Sequence, residues 1–298
     1  MLSAVQKRVE VDIQFGIVRK PARFIAALGK LQREAFCQIP LFAVFSEDAI
    51  DSFQVQRERA ANVKICAIIP SHNNADTIDA VVRALPDEVF ALIIDDGSDV
   101  PIKNSRQRCE VLRSEQNRGK AEALKTGFSA AAERGFTHAV TLDADGQHPP
   151  SMFAKFADMA QKYPDCIITG VRDFSSPSVP PKRRFMNKFS NFWFHFETSV
   201  DLSDTQCGYR CYPIAKVSAL KTGVGGFAYE AELLVRAAWA GVRIIELPIP
   251  VIYTPESLRA SHYKPFKDTV KFSIMNAKLA FLAVFLPKGA LKKISVKK

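Results

Sequence analysis

The sequence predicts an α/β protein with a mostly parallel central sheet and helices on both of its faces. Three observations predict it. From Val63 onward, short apolar runs alternate with segments of helical periodicity. Those runs are apolar throughout rather than at every second residue, as strands buried on both faces require. Polar turns follow them at Pro70-Ser71, Asp95-Asp96 and Asp143-Ala144-Asp145, at the carboxyl ends of strands where ligands bind in such sheets.

The elements follow in order. Residues 1 to about 60 differ from the rest and read as an N-terminal accessory segment. Pro21 to Phe36 carries Phe24, Leu28, Leu31 and Ala35 at helical spacing, and Ile39 to Phe45 is a short apolar stretch. A catalytic body is expected over 61–255. Lys64–Ile69 is its first strand, ending at Pro70-Ser71-His72-Asn73-Asn74, and Asp76 to Leu85 is a helix. Ala91–Ile94 is the second strand and Glu110–Arg113 a short third. The Ala-rich stretch Gly119 to Arg134 is a long helix, and Ala139–Leu142 is the strand before the acidic turn. Ser151–Tyr163 (helix) and Cys166–Thr169 (strand) come next, then a Pro/Ser-rich loop, Asp173 to Pro181. A loop of that length in a compact domain points to function. It leads into Lys182-Arg183-Arg184 and a Phe-rich segment, Phe185 to Phe196. Ala228 to Ala240 is helical, Val242 to Leu247 is a strand, and residues 256–298 form a C-terminal helix with a basic tail.

The acidic turn carries the most chemistry. Asp143 and Asp145 can both point into one crevice if the strand ends at Leu142. Two close carboxylates repel unless a cation lies between them, and Mg²⁺ or Mn²⁺ takes such ligands while leaving positions for substrate phosphates. Pro149-Pro150 stops the turn and starts a new helix. An Asp-Gly turn with two solvated acids is the competing reading.

Composition narrows the partners. The chain has 298 residues and is 47% hydrophobic, enough for one large α/β domain with appendages. Its 41 basic against 31 acidic residues leave +10, which favours an anionic partner. Nucleic acid is not expected, because the basic residues form no aromatic-interleaved stripe. Six cysteines (Cys37, Cys66, Cys109, Cys166, Cys207, Cys211), several inside apolar runs, read as buried thiols in a reducing compartment. No second pair stands at zinc-ligand spacing beside Cys207 and Cys211. No signal peptide is visible, and the apolar run Leu279 to Leu286 falls short of the roughly twenty residues that span a bilayer. A cytoplasmic protein, peripheral at the inner face of a membrane, is the expectation. Phe281 to Leu286 and the lysines after it supply apolar insertion and attraction to anionic lipid; packing of the same helix on the core is the alternative.

The segments IIPSHNN, LIIDDGSD, NRGKAEALKTGF, LDADGQHPP, DTQCGYRCYP and FAYEAELLVRAAWAGVRIIELPI together resemble glycosyltransferase family 2 on the GT-A fold, and within it the dolichol- and polyprenyl-phosphate sugar transferases. The match runs from about 64 to 250. It implies a Rossmann-like nucleotide-binding half, a nucleotide-sugar donor, a lipid-linked phosphate acceptor, Mg²⁺ or Mn²⁺, and inversion at the anomeric carbon. By resemblance Pro70, Asn73, Asp95 and Asp96 would cradle the nucleoside. Asp143 and Asp145 would hold the metal on the diphosphate, with Asp145 also catalytic and Gln147 in support. Lys120 would bind substrate. Arg183, Arg184 and Ser190 would receive the acceptor phosphate, and Arg210 and Glu232 would line the sugar pocket as catalytic residues.

A lipid phosphate is already an anionic nucleophile and needs Arg or Lys rather than a base. A hydroxyl acceptor of a glycan or lipid needs a carboxylate base, for which Asp204, Glu230 and Glu232 are the candidates. The chain departs from the family at His72 and Asn74, which leaves the nucleotide base and the sugar open. The Q-x-x-R-W signature of processive synthases and a C-terminal transmembrane pair are both missing. The acidic turn also resembles the nucleophile loop of haloacid-dehalogenase-type phosphatases, but that loop follows a first strand and here three strands precede it. Gly223 to Ala228 formally fits a dinucleotide fingerprint without a βαβ unit around it, and reads as a turn into a helix. A non-catalytic binding module is the third rival, opposed by the intact acid pair. His148 is read as a solvent-facing turn residue or a neighbour of the metal site, and Ser261 to Lys264 as a helix-entry loop or a closure over the donor.

Overall fold

A computed structural model describes residues 62–103, 106–175, 179–250 and 265–297. The expectations for residues 1–60 and for Ser261 to Lys264 lie outside them.

The described residues form one seven-stranded sheet in the order β3-β2-β1-β4-β6-β5-β7. The strands are β1 (Ile65–Ser71), β2 (Phe90–Asp96), β3 (Cys109–Ser114), β4 (His138–Thr141), β5 (Ile167–Arg172), β6 (Arg210–Pro213) and β7 (Ile244–Ile249). Pairing is parallel except on both sides of β6, which runs antiparallel to β4 and to β5. Strand β6 escapes sequence reading because Arg-Cys-Tyr-Pro has neither an apolar run nor an alternation. The architecture is otherwise the expected mostly parallel α/β sheet.

The helices are α1 (Ala75–Arg83), α2 (Lys120–Glu133), α3 (Phe153–Lys162), α4 (Pro181–Thr198), α5 (Ile214–Ser218), α6 (Ala228–Trp239), α7 (Pro265–Phe285) and α8 (Lys288–Ser295). One apolar layer places α2 and α6 against the sheet, around Ile68, Ile94, Leu124, Phe128, Tyr212 and Leu233. The other places α1 and α3 on the opposite face, around Ile69, Val82, Val140, Phe156 and Tyr209. Both faces of the sheet are therefore covered, which is why its strands read as unbroken apolar runs. Cys66, Cys109, Cys166, Cys207 and Cys211 are buried free thiols.

The Phe-rich segment is helix α4. Pro181 suits its first turn, and the left-handed Ser199 (φ 57°) ends it. Helix α7 packs on α4 and on α6, burying Met275 and Leu279. Its core-facing side thus answers the alternative that the C-terminal helix packs on the body. On its other side Ile274, Phe281, Val284 and Phe285 are exposed.

Glu197, near the end of α4, is 4% exposed and one carboxylate oxygen has no hydrogen-bond partner. Burial pushes its carboxyl up to about 8. The folded protein therefore keeps a proton that the unfolded chain releases from about pH 4.5, so stability falls as pH rises from that value toward 8. Glu197→Gln should raise Tm by about 5 °C at pH 8. The gain should vanish at pH 4.5, and thermal melts at the two pH values check both halves.

Candidate active site

Beyond the carboxyl ends of β1, β2 and β4 lies a cavity of about 790 Å³. Pro70, Asp96, Lys120, Asp143, Asp145, Gln147, Arg183 and Arg210 line it, as do Glu230 and Phe227. The motifs singled out in the sequence thus meet in one place, although not every residue faces inward.

The acid pair after β2 shapes the rim. Asp96 accepts backbone N–H bonds from Arg118 (2.8 Å) and Gly119 (2.7 Å), fixing the turn into α2. Asp95 is fully buried and turned away from the cavity, accepting from Ser98 N (2.9 Å), Ile102 N (3.3 Å) and the Arg113 guanidinium. Burial pushes its carboxyl up, but these bonds outweigh burial and hold it below the usual range. The turn itself demands Gly97, at φ +69°, where a Cβ would meet the Gln116 carbonyl carbon at 2.5 Å. Asn73 also stands off the cavity, exchanging hydrogen bonds with Asp99. Of the four residues expected to cradle a nucleoside, Pro70 and Asp96 line the cavity, and Asp95 and Asn73 brace its edge.

Lys120 opens α2 and reaches across to the acidic turn. Its Nζ donates to Asp143 Oδ1 and lies 2.7 Å from both that oxygen and Glu230 Oε2. Burial disfavours the ammonium, but the two carboxylates outweigh it and hold Lys120 charged above its ordinary range. Burial likewise pushes Asp143 up, and Lys120 reverses this and keeps it ionised. Asp145 accepts Gln147 N at 2.9 Å; burial, then the Asp143 charge, push its carboxyl up to about 6. His148 is buried rather than solvent-facing, beside Tyr209, and burial lowers it to about 4, so it is neutral at pH 7.

A hard divalent cation fits this corner. Two carboxylates of opposite tendency share it, and Gly208 passes so close that a Cβ there would lie 2.9 Å from Asp143 Oδ2. Among the described residues no three His, Cys, Asp or Glu converge on one cation. The protein side would therefore offer Asp143 and Asp145, leaving other positions to phosphate oxygens and water, as Mg²⁺ sites commonly do.

Glu232 corrects the expectation. It is 2% exposed and absent from the cavity. It accepts from Gly223 N (2.8 Å) and Val224 N (2.9 Å) and pairs with Arg236 at 2.8 Å, so it caps the turn before α6. Glu230, two residues earlier and on another side of the helix, faces the cavity instead. Arg210 reaches the cavity wall, but its guanidinium is spent on Thr169 Oγ1, Tyr212 OH and the carbonyls of Glu230 and Thr205. It shapes the wall as a brace.

The basic residues of α4 divide. Lys182 and Arg183 line the main cavity, whereas Arg184 lines a neighbouring one with Arg172 and Lys188. Ser190 is buried and accepts a bond from Thr205 Oγ1 at 2.8 Å, away from both cavities. Arg172 was not anticipated; it holds the fully buried Asp204 through two guanidinium bonds of 2.7 and 2.9 Å.

The family model "Glycosyl transferase family 2" matches residues 66–223. A polyprenol monophosphomannose synthase of Mycolicibacterium smegmatis is 28% identical over 200 residues, covering 61% of this chain and 75% of that protein. A UDP-N-acetylglucosamine–dolichyl-phosphate N-acetylglucosaminyltransferase of Methanococcus voltae is 29% identical over 225 residues, covering 66% of this chain and 89% of the relative. Among solved structures, glucosyl-3-phosphoglycerate synthase from Mycobacterium tuberculosis, in complex with Mn²⁺, UDP and phosphoglyceric acid, aligns with a TM-score of 0.56 at 13% identity. That alignment covers 78% of this chain and 82% of the synthase, and makes the fold GT-A. With the motif residues gathered at one rim and the family model spanning more than half of the sequence, the chain belongs to glycosyl transferase family 2 and is a glycosyltransferase.

Proposed function

We propose that this glycosyltransferase moves a sugar, with inversion, from a nucleoside-diphosphate donor to a polyprenyl-phosphate-like lipid at a membrane surface, with Mg²⁺ or Mn²⁺. The observation that carries the phosphate acceptor is the state of the three candidate bases. Asp204 is held by Arg172 and Glu232 by Arg236, both away from the reaction space. Glu230 faces the cavity but is paired with the Lys120 ammonium. An acceptor that arrives already ionised needs none of them, and Lys182 and Arg183 stand on the cavity wall to receive its charge. A divalent cation between Asp143, Asp145 and the diphosphate would neutralise the charge that develops on the leaving group. Asp96 and the Arg118–Gly119 turn shape the donor side, and Arg210 keeps the Thr205 and Glu230 walls together.

The membrane part of the reading rests on two apolar stripes. Helix α4 exposes Phe185, Phe189, Phe192 and Phe196 at spacings that form one face, and α7 exposes Val270, Ile274, Phe281 and Phe285. Exposed lysines accompany both, Lys188 on α4 and Lys278 on α7, with Lys292 and Lys293 on α8. Apolar side chains rimmed by cations suit an anionic bilayer surface. No helix among the described residues is long and apolar enough to cross a membrane. Replacing Phe185 and Phe192 together by Ser should cut binding to anionic vesicles at least about tenfold. Co-sedimentation measures it, and unchanged binding would remove this face from the proposal.

The central test supplies UDP- and GDP-sugars with Mn²⁺, with and without polyprenyl phosphate. A glycosyl-phosphate lipid that forms only with the lipid present is the expected result. Sugar appearing on a hydroxyl acceptor, with none on the lipid phosphate, would overturn the acceptor assignment.

A further inference from the structure

We propose that Lys120 is a resident counter-ion that keeps the Asp143–Asp145 corner closed to divalent cations until a nucleoside diphosphate arrives, and so makes the two binding events cooperative. The inference rests on the donor-site reading above and adds an order to it.

The geometry starts from a shortage of ligands. The corner offers two carboxylates, and no third acidic, histidine or cysteine ligand joins them among the described residues. One of the two is already engaged, because Asp143 Oδ1 holds the Lys120 ammonium at 2.7 Å. Its other oxygen faces the Gly208 backbone, where even one added methyl group would stand at 2.9 Å. A cation approaching Asp143 therefore meets a positive charge on one side and polypeptide on the other. Bound alone it would keep most of its water, share one carboxylate with an ammonium, and repel that ammonium at short range.

A nucleoside diphosphate changes each of these conditions. It brings oxygens for the cation's remaining positions and a surplus of negative charge. It also gives Lys120 an alternative partner. The lysine sits at the first turn of α2 beside Asn117 and Gly119, which line the same cavity, and a helix N-terminus of this kind suits phosphate. The lysine stem is flexible, with three donors at its tip. Glu230 Oε2, also 2.7 Å away, keeps the ammonium in the cavity while it leaves Asp143. The coupling is reciprocal, so the cation must tighten the nucleotide by the factor by which the nucleotide tightens the cation.

Glu230 gives the proposal a second, opposite sign. It competes with Asp143 for the ammonium, so its removal should press Lys120 harder onto Asp143. Removal of Lys120 itself should free Asp143 for the cation.

Mn²⁺ uptake by the full chain, followed by the electron paramagnetic resonance of free Mn²⁺, tests both signs. Mn²⁺ is titrated alone, then with UDP and with GDP. The wild type should bind weakly alone and at least about tenfold more tightly with nucleotide. Lys120→Met should tighten Mn²⁺ alone by about tenfold and reduce the nucleotide's effect. Glu230→Gln should weaken Mn²⁺ alone by about threefold or more. Lys125→Met, on the same helix but paired with Glu122 (2.8 Å), should change neither and controls for net charge. If Lys120→Met and Glu230→Gln both leave Mn²⁺ alone unchanged while nucleotide still tightens the wild type, the gate is wrong and the donor site stands. If the wild type takes up no Mn²⁺ with either nucleotide, the donor-site reading fails and the gate with it. Should Lys120→Met not fold, Lys120→Gln takes its place in the same titration, with the same tightening expected and an unchanged Mn²⁺ affinity counting against the gate.

Discussion

Asp145→Asn is expected to lower sugar transfer about a thousandfold or more while the protein stays folded. The asymmetry of the acid pair predicts both halves. Asp143 is ionised and paired with Lys120, so its replacement would leave the ammonium with Glu230 alone as well as remove a ligand. Asp145 accepts the Gln147 amide and carries a charge that burial and Asp143 both oppose. Neutralising it removes a ligand for a cation and relieves repulsion, so its Tm at pH 7 should equal or slightly exceed that of the wild type. The same shift sets a pH dependence. Protons compete at Asp145 with a midpoint near pH 6, so cation uptake in the presence of UDP or GDP should fall as pH drops through that value. In Asp145→Asn that step should shrink to the part set by the nucleotide's own terminal phosphate, which also titrates at about 6. Full turnover by Asp145→Asn would remove the acidic corner from the mechanism.

Arg210→Met should show the opposite pattern, with stability lost by about 3–5 kcal/mol. Arg210 is 1% exposed, and its guanidinium supplies the carbonyls of Thr205 (2.8 Å) and Glu230 (3.1 Å) together with Tyr212 OH (3.1 Å). Removing it orphans buried acceptors on two segments that do not touch in sequence. A Tm fall of roughly 10 °C follows for a domain of this size. Arg210→Lys should fare little better, because an ammonium cannot reproduce the planar fork. Turnover measured well below the lowered Tm should fall far less than in Asp145→Asn. A thousandfold loss of turnover at unchanged Tm would instead make Arg210 a group that acts on the substrate, as the family resemblance implies.

Much of this site was legible in the sequence because its chemistry lies at the ends of apolar strands. Asp96, Asp143 and Asp145 each sit where an unbroken run stops, and periodicity alone places them at one rim. The misplaced residues have another cause. Glu230 and Glu232 are two apart on a helix, about 200° around its axis, and nothing local says which of them faces the sheet edge. The backbone amides of the Gly223–Val224 turn, folded back onto the helix, and Arg236 one turn further on hold Glu232 away from the cavity. On α4 the apolar Phe side turns outward, so the pattern conceals that Ser190 is buried against Thr205 and that Arg184 lines the neighbouring cavity. Strand β6 was invisible because four residues of mixed chemistry carry no period. The Lys120 bridge was beyond reading too, since Asp143 and Glu230 meet it only after the sheet has closed.

The reversed direction of β6 has one more consequence. The chain leaves the sheet at the end of β5, builds all of α4, and re-enters along β6 beside β4. Lys182 and Arg183, the residues proposed to receive the acceptor's charge, are thereby carried on a single detour, while the turns at Asp96 and at Asp143 to Asp145 belong to the strands before it. Such a layout is modular. Changes to α4 would therefore act on the proposed acceptor side without passing through the strands that carry Asp96, Asp143 and Asp145.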